Sequence, residues 1–215
     1  MCLPIYFAPV TLITSVPNVL VVHPSVPAHS VKELVALATA RPGQLNFASG
    51  STGSAGHLAG ELFKSMAGVD MTHIPYKGAA PAVIDLMAGH VTLMFDNLSS
   101  ALPNIKVARV RALAVTTLAR SPLLAQLPTI SEAGLRGFDI STWFGIFAPA
   151  GTPPNIVAKL NAEIVRALHT PEMRERLAAL GAEPVGSKPE EFAAFIKTEI
   201  PKYAKVVKAS GAKAD

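Results

Sequence analysis

Cysteine is almost missing from this 215-residue chain; Cys2 stands alone. A disulfide framework and a cysteine-based zinc site are therefore excluded. The six histidines are scattered, and none pairs at the H-x-x-x-H spacing that turns two imidazoles toward one metal, so no metal and no cofactor is expected. Aromatic residues make up only 6% of the chain and charged residues 16%. Small aliphatic side chains must then fill the core, as they do where helices cover a parallel sheet. No apolar run reaches the ~20 residues of a membrane-spanning helix. The start, MCLPIYFAPVTLITSVPNVLVV, is apolar but carries no Lys or Arg and is interrupted by Pro4, Pro9 and Pro17. It lacks the three-part pattern of a signal peptide and reads as two strands. The net charge of +4 comes from dispersed residues. With no basic stripe interleaved with aromatics, no nucleic-acid partner is expected, whereas a mild positive field suits a small anion.

What the chain does contain is strand-like runs alternating with helix-period segments. Strands are expected at 9–14, 18–23, 45–48, 71–75, 91–95, 110–116 and 138–148. Ser30 and Glu33 form a capping box ahead of Val31, Leu34, Val35 and Ala38. Further helices are expected at 55–66, ended by Gly68, at 79–87 and at 98–106. The pattern is that of a parallel sheet covered on both faces. Beyond Leu118 the texture changes, and a boundary is placed near Trp143, the only tryptophan. Thr152 is expected to cap a helix opened by Pro153, Thr170 another that Gly181 ends, and Ser187 with Glu190 a second capping box before a last helix to about Ser210.

Three strand-to-helix loops carry the chemistry. NFASGSTGSAGHLAGELF leads from a strand ending near Ala48 into a helix starting near Ser54. The first N–H groups of a helix lack internal partners and sit at the positive end of its dipole. Gly50, Gly53 and Gly56 clear the approach, and Ser51, Thr52 and Ser54 add hydroxyls, which makes a neutral anion cradle. The spacing is that of neither a P-loop, a dinucleotide fold nor a G-x-S-x-G elbow. The same turn is equally a plain Gly-Ser turn with a hydroxyl cap. In HIPYKGAAPAV, Tyr76, Lys77 and Gly78 lead to a helix start at Ala79; Tyr76 either meets a ligand or covers the sheet edge. In MFDNLSSALP, Asp96 and Asn97 close a strand, as a cap or as a group facing the crevice at the strands' carboxyl ends. An enzyme is not expected. Ser54 and His57 share a helix face, but a nucleophile needs an oriented base, and nothing in the spacing links His57 to Asp85 or Asp96. A Ser/His hydrolase or transferase remains the alternative.

The run VPNVLVVHPSVPAHSVKELVALA, the long segment ARPGQLNFASGSTGSAGHLAGELFKSMAGVDMTHIPYKGAAPAVIDLMAGHVTLMFDN, and then RALAVTT, LPTISEAGL and WFGIFAPAGTP together resemble the Bug family. These are the TctC-like substrate-binding receptors of tripartite tricarboxylate transporters. The resemblance implies a periplasmic-binding-protein type II (Venus flytrap) α/β fold whose two lobes close over a small carboxylate or amino acid. It also implies a periplasmic location and the membrane subunits of such a transporter as partners. Carried over by position, the ligand contacts are Ser51, Thr52, Gly53, Ser54, His57, Tyr76, Gly78, Ala79 and Asp96, with no catalytic residue.

One departure from the family pattern stands out. The family has a signal peptide and the first part of one lobe ahead of this region; here residues 1–6 stand in their place. The expectation is one complete ligand-binding lobe at 16–141, with 1–15 and 142–215 the remnant of an incomplete first lobe. The apolar faces of the tail helices, Ile156, Val157, Leu160, Ile164 and Leu168 in one and Phe192, Phe195 and Ile196 in another, must then pack elsewhere, swap between chains as a dimer, or stay exposed. A non-functional truncated fragment is the remaining alternative.

Overall fold

The computed structural model describes residues 6–210. Cys2 and most of the expected replacement segment at the start lie outside the described residues. In chain order the elements are β1 (Phe7–Val22), α1 (Val31–Ala40), β2 (Asn46–Ser49), α2 (Ala55–Ala67), β3 (Thr72–Pro75), α3 (Ala79–Ala88), β4 (Leu93–Asn97), α4 (Leu98–Lys106), β5 (Arg111–Val115), a 3₁₀ turn (Pro122–Leu124), β6 (Ser141–Pro149), α5 (Pro154–Leu168), α6 (Pro171–Ala179), β7 (Glu183–Pro184) and α7 (Pro189–Ser210). The chain forms two compact units. One comprises Pro17–Thr142 and residues 203–210; the other comprises residues 6–16 and Trp143–Lys202.

In the Pro17–Thr142 unit the strand order is β3-β2-β4-β1-β5. β2 runs parallel to β3 and to β4, with Ala48 opposite Ile74 and Met94. β1 runs antiparallel to both its neighbours, with Leu20 opposite Phe95 and Ala114. The parallel sheet expected from strand–helix alternation is therefore a mixed one. Alternation records that elements take turns, not that each helix crosses over; the connection through α1 turns the chain back. Val19, Leu20, Val21 and Val22 are at most 1% exposed, the continuous apolar run of a strand covered on both faces.

The two expected N-terminal strands are one. Proline lacks the N–H that a ladder needs, so it is tolerated where pairing lapses. Pro17 sits at such a place: Thr14 and Ser15 pair with β7, whereas Asn18 onward pairs with β4 and Val19 onward also with β5. Ser30 caps α1 by accepting from Glu33 N–H at 3.2 Å. The Glu33 carboxylate reaches back one residue beyond the cap, to His29 N–H at 2.6 Å. Leu34, Phe47, Phe63, Leu93 and Phe95 form the centre of the core, and Val206 of α7 belongs to the same cluster.

The end of α4 shows the one positive φ outside glycine among the described residues, Ala108 at 55°. Ala108 N–H bonds Ile105 O and Arg109 N–H bonds Asn104 O, the two reversed bonds of a Schellman ending, where glycine is the preferred residue. An L side chain there costs about 1–2 kcal/mol, part of which glycine returns as unfolded-chain entropy. Ala108→Gly is thus expected to stabilise the protein by roughly 0.5–1 kcal/mol. Urea denaturation at unchanged m-value measures it; a lower midpoint would contradict the strained ending.

In the other unit, β6 and β7 pair with β1. Leu12, Phe192 and Ile196 form a small core with Trp143, Phe147 and Phe195 against it. Two expected caps are corrected here. Thr152 does not cap α5: its hydroxyl bonds Pro149 O, and Pro153 stands at the cap position. Ser187 does not cap α7: its hydroxyl accepts Leu12 N–H at 3.0 Å, holding the chain to β1, and α7 starts at Pro189. Of the apolar residues on α5, Leu168 is buried while Ile156 and Leu160 are exposed.

Candidate functional site

A cavity of about 130 Å³ opens in the Pro17–Thr142 unit, bounded by the carboxyl end of β4 and the starts of α2 and α3. β2 ends at Ser49, and residues 50–54 lead to α2. Ser54 is extended at φ −66°, ψ 160°; its hydroxyl accepts His57 N–H at 3.3 Å and donates to Ser51 O at 2.8 Å. Ala55 and Gly56 line the cavity at the first turn of α2, where backbone N–H groups have no acceptor within the helix. Ala79, the first residue of α3, lines it too.

Two glycines fix how closely these loops approach. A Cβ on Gly50 would meet Ala79 N at 3.0 Å and Gly78 C at 3.1 Å. Gly78 N–H donates to Gly50 O at 2.7 Å, so the first and second loops lie backbone against backbone. A Cβ on Gly56 would fall 2.6 Å from Phe95 O, so the start of α2 rests on the backbone of β4.

Polar residues of β1, β4 and β6 line the cavity beside Met94 and Phe95. Asp96 is buried, and its Oδ1 accepts Asn97 N–H at 2.9 Å. Burial pushes its carboxyl up to about 6, against hydrogen bonds from Ser100 and from Asn97 N–H that act to lower it. Asn97 Oδ1 is buried with no hydrogen-bond partner among the described residues, and Asn97 makes no side-chain cap on α4. Asn18, buried and opposite Asn97 across the β1–β4 ladder, accepts the Thr142 hydroxyl at 2.9 Å through Oδ1. Asn18 and Thr142 both line the cavity, and no Lys or Arg does. Among the described residues no group of three His, Cys, Asp or Glu could hold a metal ion.

Of the nominated residues, Ser54, Ala79 and Asp96 line the cavity. Ser51, Thr52, Gly53 and Gly78 belong to the surrounding turns without lining it. His57 and Tyr76 are used elsewhere. The His57 ring is buried, stacks on His73 at 3.9 Å between centroids, and accepts Gly53 N–H through Nδ1 at 3.0 Å. The Ser54 hydroxyl is bonded to backbone groups, so the two do not form a nucleophile–base pair. The Tyr76 hydroxyl donates to Asp85 at 2.6 Å, and burial together with that carboxylate pushes it up to about 12. Lys77 is exposed. Sequence reasoning missed Asn18 and Thr142. β1 is antiparallel, so it brings its amino-proximal residue to the rim where β4 brings its carboxyl end, and no local motif announces that.

Known proteins bear on the same region. The family model described as tripartite tricarboxylate transporter family receptor matches residues 6–212. A UPF0065 protein from the tcbD-tcbE intergenic region of Pseudomonas sp. is 44% identical over 202 residues, covering 94% of this chain and 60% of that protein. BugT of Bordetella pertussis is 40% identical over 205 residues, covering 95% of this chain and 63% of that protein. The chain thus spans about 60% of the length of these curated relatives. Among solved structures, Rpa4515 of R. palustris with adipate superposes with a TM-score of 0.90 at 42% identity, over 96% of this chain and 69% of that one. The periplasmic binding protein BugD gives 0.88 at 35% identity, over 97% and 71%. MatC of Rhodopseudomonas palustris with bound malate gives 0.86 at 35% identity, over 94% and 69%.

Proposed function

Because the chain belongs to the tripartite tricarboxylate transporter receptor family, matched over residues 6–212, we propose that it captures a small organic carboxylate without altering it. The observation that carries this reading is the first turns of α2 and α3 at one cavity with no cation in its lining, the turn before α2 set against the start of α3 through Gly50 and α2 set against β4 through Gly56. Such a site favours an anion through amide hydrogens and helix dipoles. Similarity to proteins solved with adipate and with malate supports the carboxylate class. In this reading Ser54, Ala79 and Asp96 face the ligand. Ser51, Thr52, Gly53, Gly78, His57 and Tyr76 shape the turns that present it. The captured acid is delivered to the membrane subunits of a transporter, and the protein works in the periplasm, as BugD does.

Calorimetric titration of the chain with adipate, malate, succinate, citrate, aspartate and benzoate tests the proposal. At least one acid is expected to bind at a single site. Silence across the whole set, with the protein folded by circular dichroism, would overturn it.

A further inference from the structure

We propose that His57 is a positioning residue for the anion-binding turn, holding residues 51–54 in place only while its Nδ1 is unprotonated, so that acid releases the turn. The inference rests on the receptor reading for its functional consequence, but its geometry stands apart from any ligand.

The turn is braced by two stacked imidazoles. His57 lies on α2 and His73 on β3, their rings 3.9 Å apart and 18° from parallel, with Phe47 stacked on His73 at 4.9 Å. His57 Nδ1 accepts Gly53 N–H at 3.0 Å. An acceptor nitrogen carries no proton, which fixes His57 as the Nε2–H tautomer when neutral. His73 Nε2 lies 2.7 Å from Ser49 Oγ, and Ser49 Oγ lies 2.9 Å from Ser51 O. Ser49 has one hydroxyl hydrogen; with that directed to Ser51 O, its oxygen accepts from His73 Nε2–H. The two rings therefore hold the turn at two points, Gly53 through one and Ser51 through the other.

Protonation affects the two contacts differently. His73 keeps its Nε2–H when charged, so its contact to Ser49 survives. His57 gains a proton on Nδ1, and two N–H groups then point at each other where Gly53 was held. The charged groups around His57 are Glu61, 3.9 Å from Nε2, Lys64, which pairs with Glu61 at 3.0 Å, and His73 across the stack. Burial is the largest influence on His57 and lowers its pKa; Glu61 acts to raise it and Lys64 to lower it. His73 is pushed down to about 4, first by burial and then by His57 and Lys64. The stack is therefore neutral at neutral pH, and the release lies on the acid side.

The test is a pH titration of the ¹⁵N-labelled chain by NMR, first without ligand. At pH 7, His57 is expected in the Nε2–H tautomer; on acidification the Gly53 amide should shift and lose exchange protection along the His57 titration curve. In His57→Asn, whose side-chain oxygen replaces Nδ1 but does not titrate, the Gly53 amide should stay constant. A proton on Nδ1 at pH 7, or a Gly53 amide indifferent to His57, overturns the proposal from wild-type spectra alone. The second arm is adipate and malate affinity at pH 7.5 and 5.0 in wild type and His57→Asn. Asp96 and the probe's own carboxyls titrate in both proteins, so their difference isolates His57. Wild type is expected to lose about tenfold more affinity than the variant, the scale of one hydrogen bond; equal losses overturn the link between turn and ligand. If none of the six acids titrated above binds wild type at pH 7.5 while Gly53 follows His57, the receptor reading fails and the positioning role stands.

Discussion

Gly60→Ala is expected to destabilise the protein by roughly 2 kcal/mol, the reverse of the gain of about 1 kcal/mol that alanine gives in an ordinary helix interior. The reason is local. A Cβ on Gly60 would fall 2.2 Å from Phe47 Cε2, 2.5 Å from Cδ2 and 2.7 Å from Cζ. Phe47 is fully buried on β2 and its ring is boxed in by His73 at 4.9 Å and His57 at 6.3 Å, so it cannot swing aside cheaply. The whole of α2 must instead lift off the sheet. Because α2 also presents Ala55 and Gly56 to the cavity, anion affinity should fall together with the urea midpoint. Phe47→Leu in the same chain should recover part of the loss, giving a favourable coupling in a double-mutant cycle. A Gly60→Ala protein as stable as wild type would mean that the ring has room to move, and the packing of α2 on β2 would need another description.

The second large effect is of opposite sign. Asp96→Asn is expected to make the protein more stable above pH 6. The folded state holds the Asp96 carboxyl up to about 6 against an ordinary value of 3.8. Between those two values the folded state keeps a proton that the unfolded state has released, so the Asp96 contribution to stability falls as pH rises through this window and levels off above it. The full difference corresponds to about 3 kcal/mol, an upper limit on what the neutral amide recovers. Asparagine can still accept Asn97 N–H through its oxygen. Urea denaturation at pH 8 and at pH 3.5 measures the effect: a gain at the first and parity at the second. A variant less stable than wild type at pH 8 would show that the carboxylate is better compensated than its burial suggests.

Much of this architecture was legible in the residues because its signals are local. Ser54, Gly68 and the Ser30 hydroxyl bound their helices as their types and spacings indicate, since capping is decided within a few residues. The strand expected at 18–23 is the carboxyl part of β1. What escaped was set by distant partners. Pro17 looks like a break until β7 is seen to give way there to β4 and β5. Ser187 has capping-box spacing, but the backbone of Leu12 claims its hydroxyl. For the site, the loops containing Gly50, Ala79 and Asp96 were readable as strand-to-helix turns. Asn18 and Thr142 were not, because only the antiparallel course of β1 carries Asn18 to that rim. His57 was nominated as a ligand contact; its buried ring accepts Gly53 N–H and stacks on His73 of another strand, a placement that no local motif announces.

β1 lies inside the strand order, between β4 and β5, although its residues precede those of every other strand in that sheet. Its partners β4 and β5 end only at Asn97 and Val115. On the ribosome, the Val19–Val22 run must therefore wait several seconds for its neighbours, at the roughly 5–20 residues per second of synthesis. During that interval it is an unpaired, uncharged, β-branched segment, the kind of sequence that associates with copies of itself. The nascent chain should thus depend on shielding by a chaperone more than the finished protein, with that run buried, would suggest.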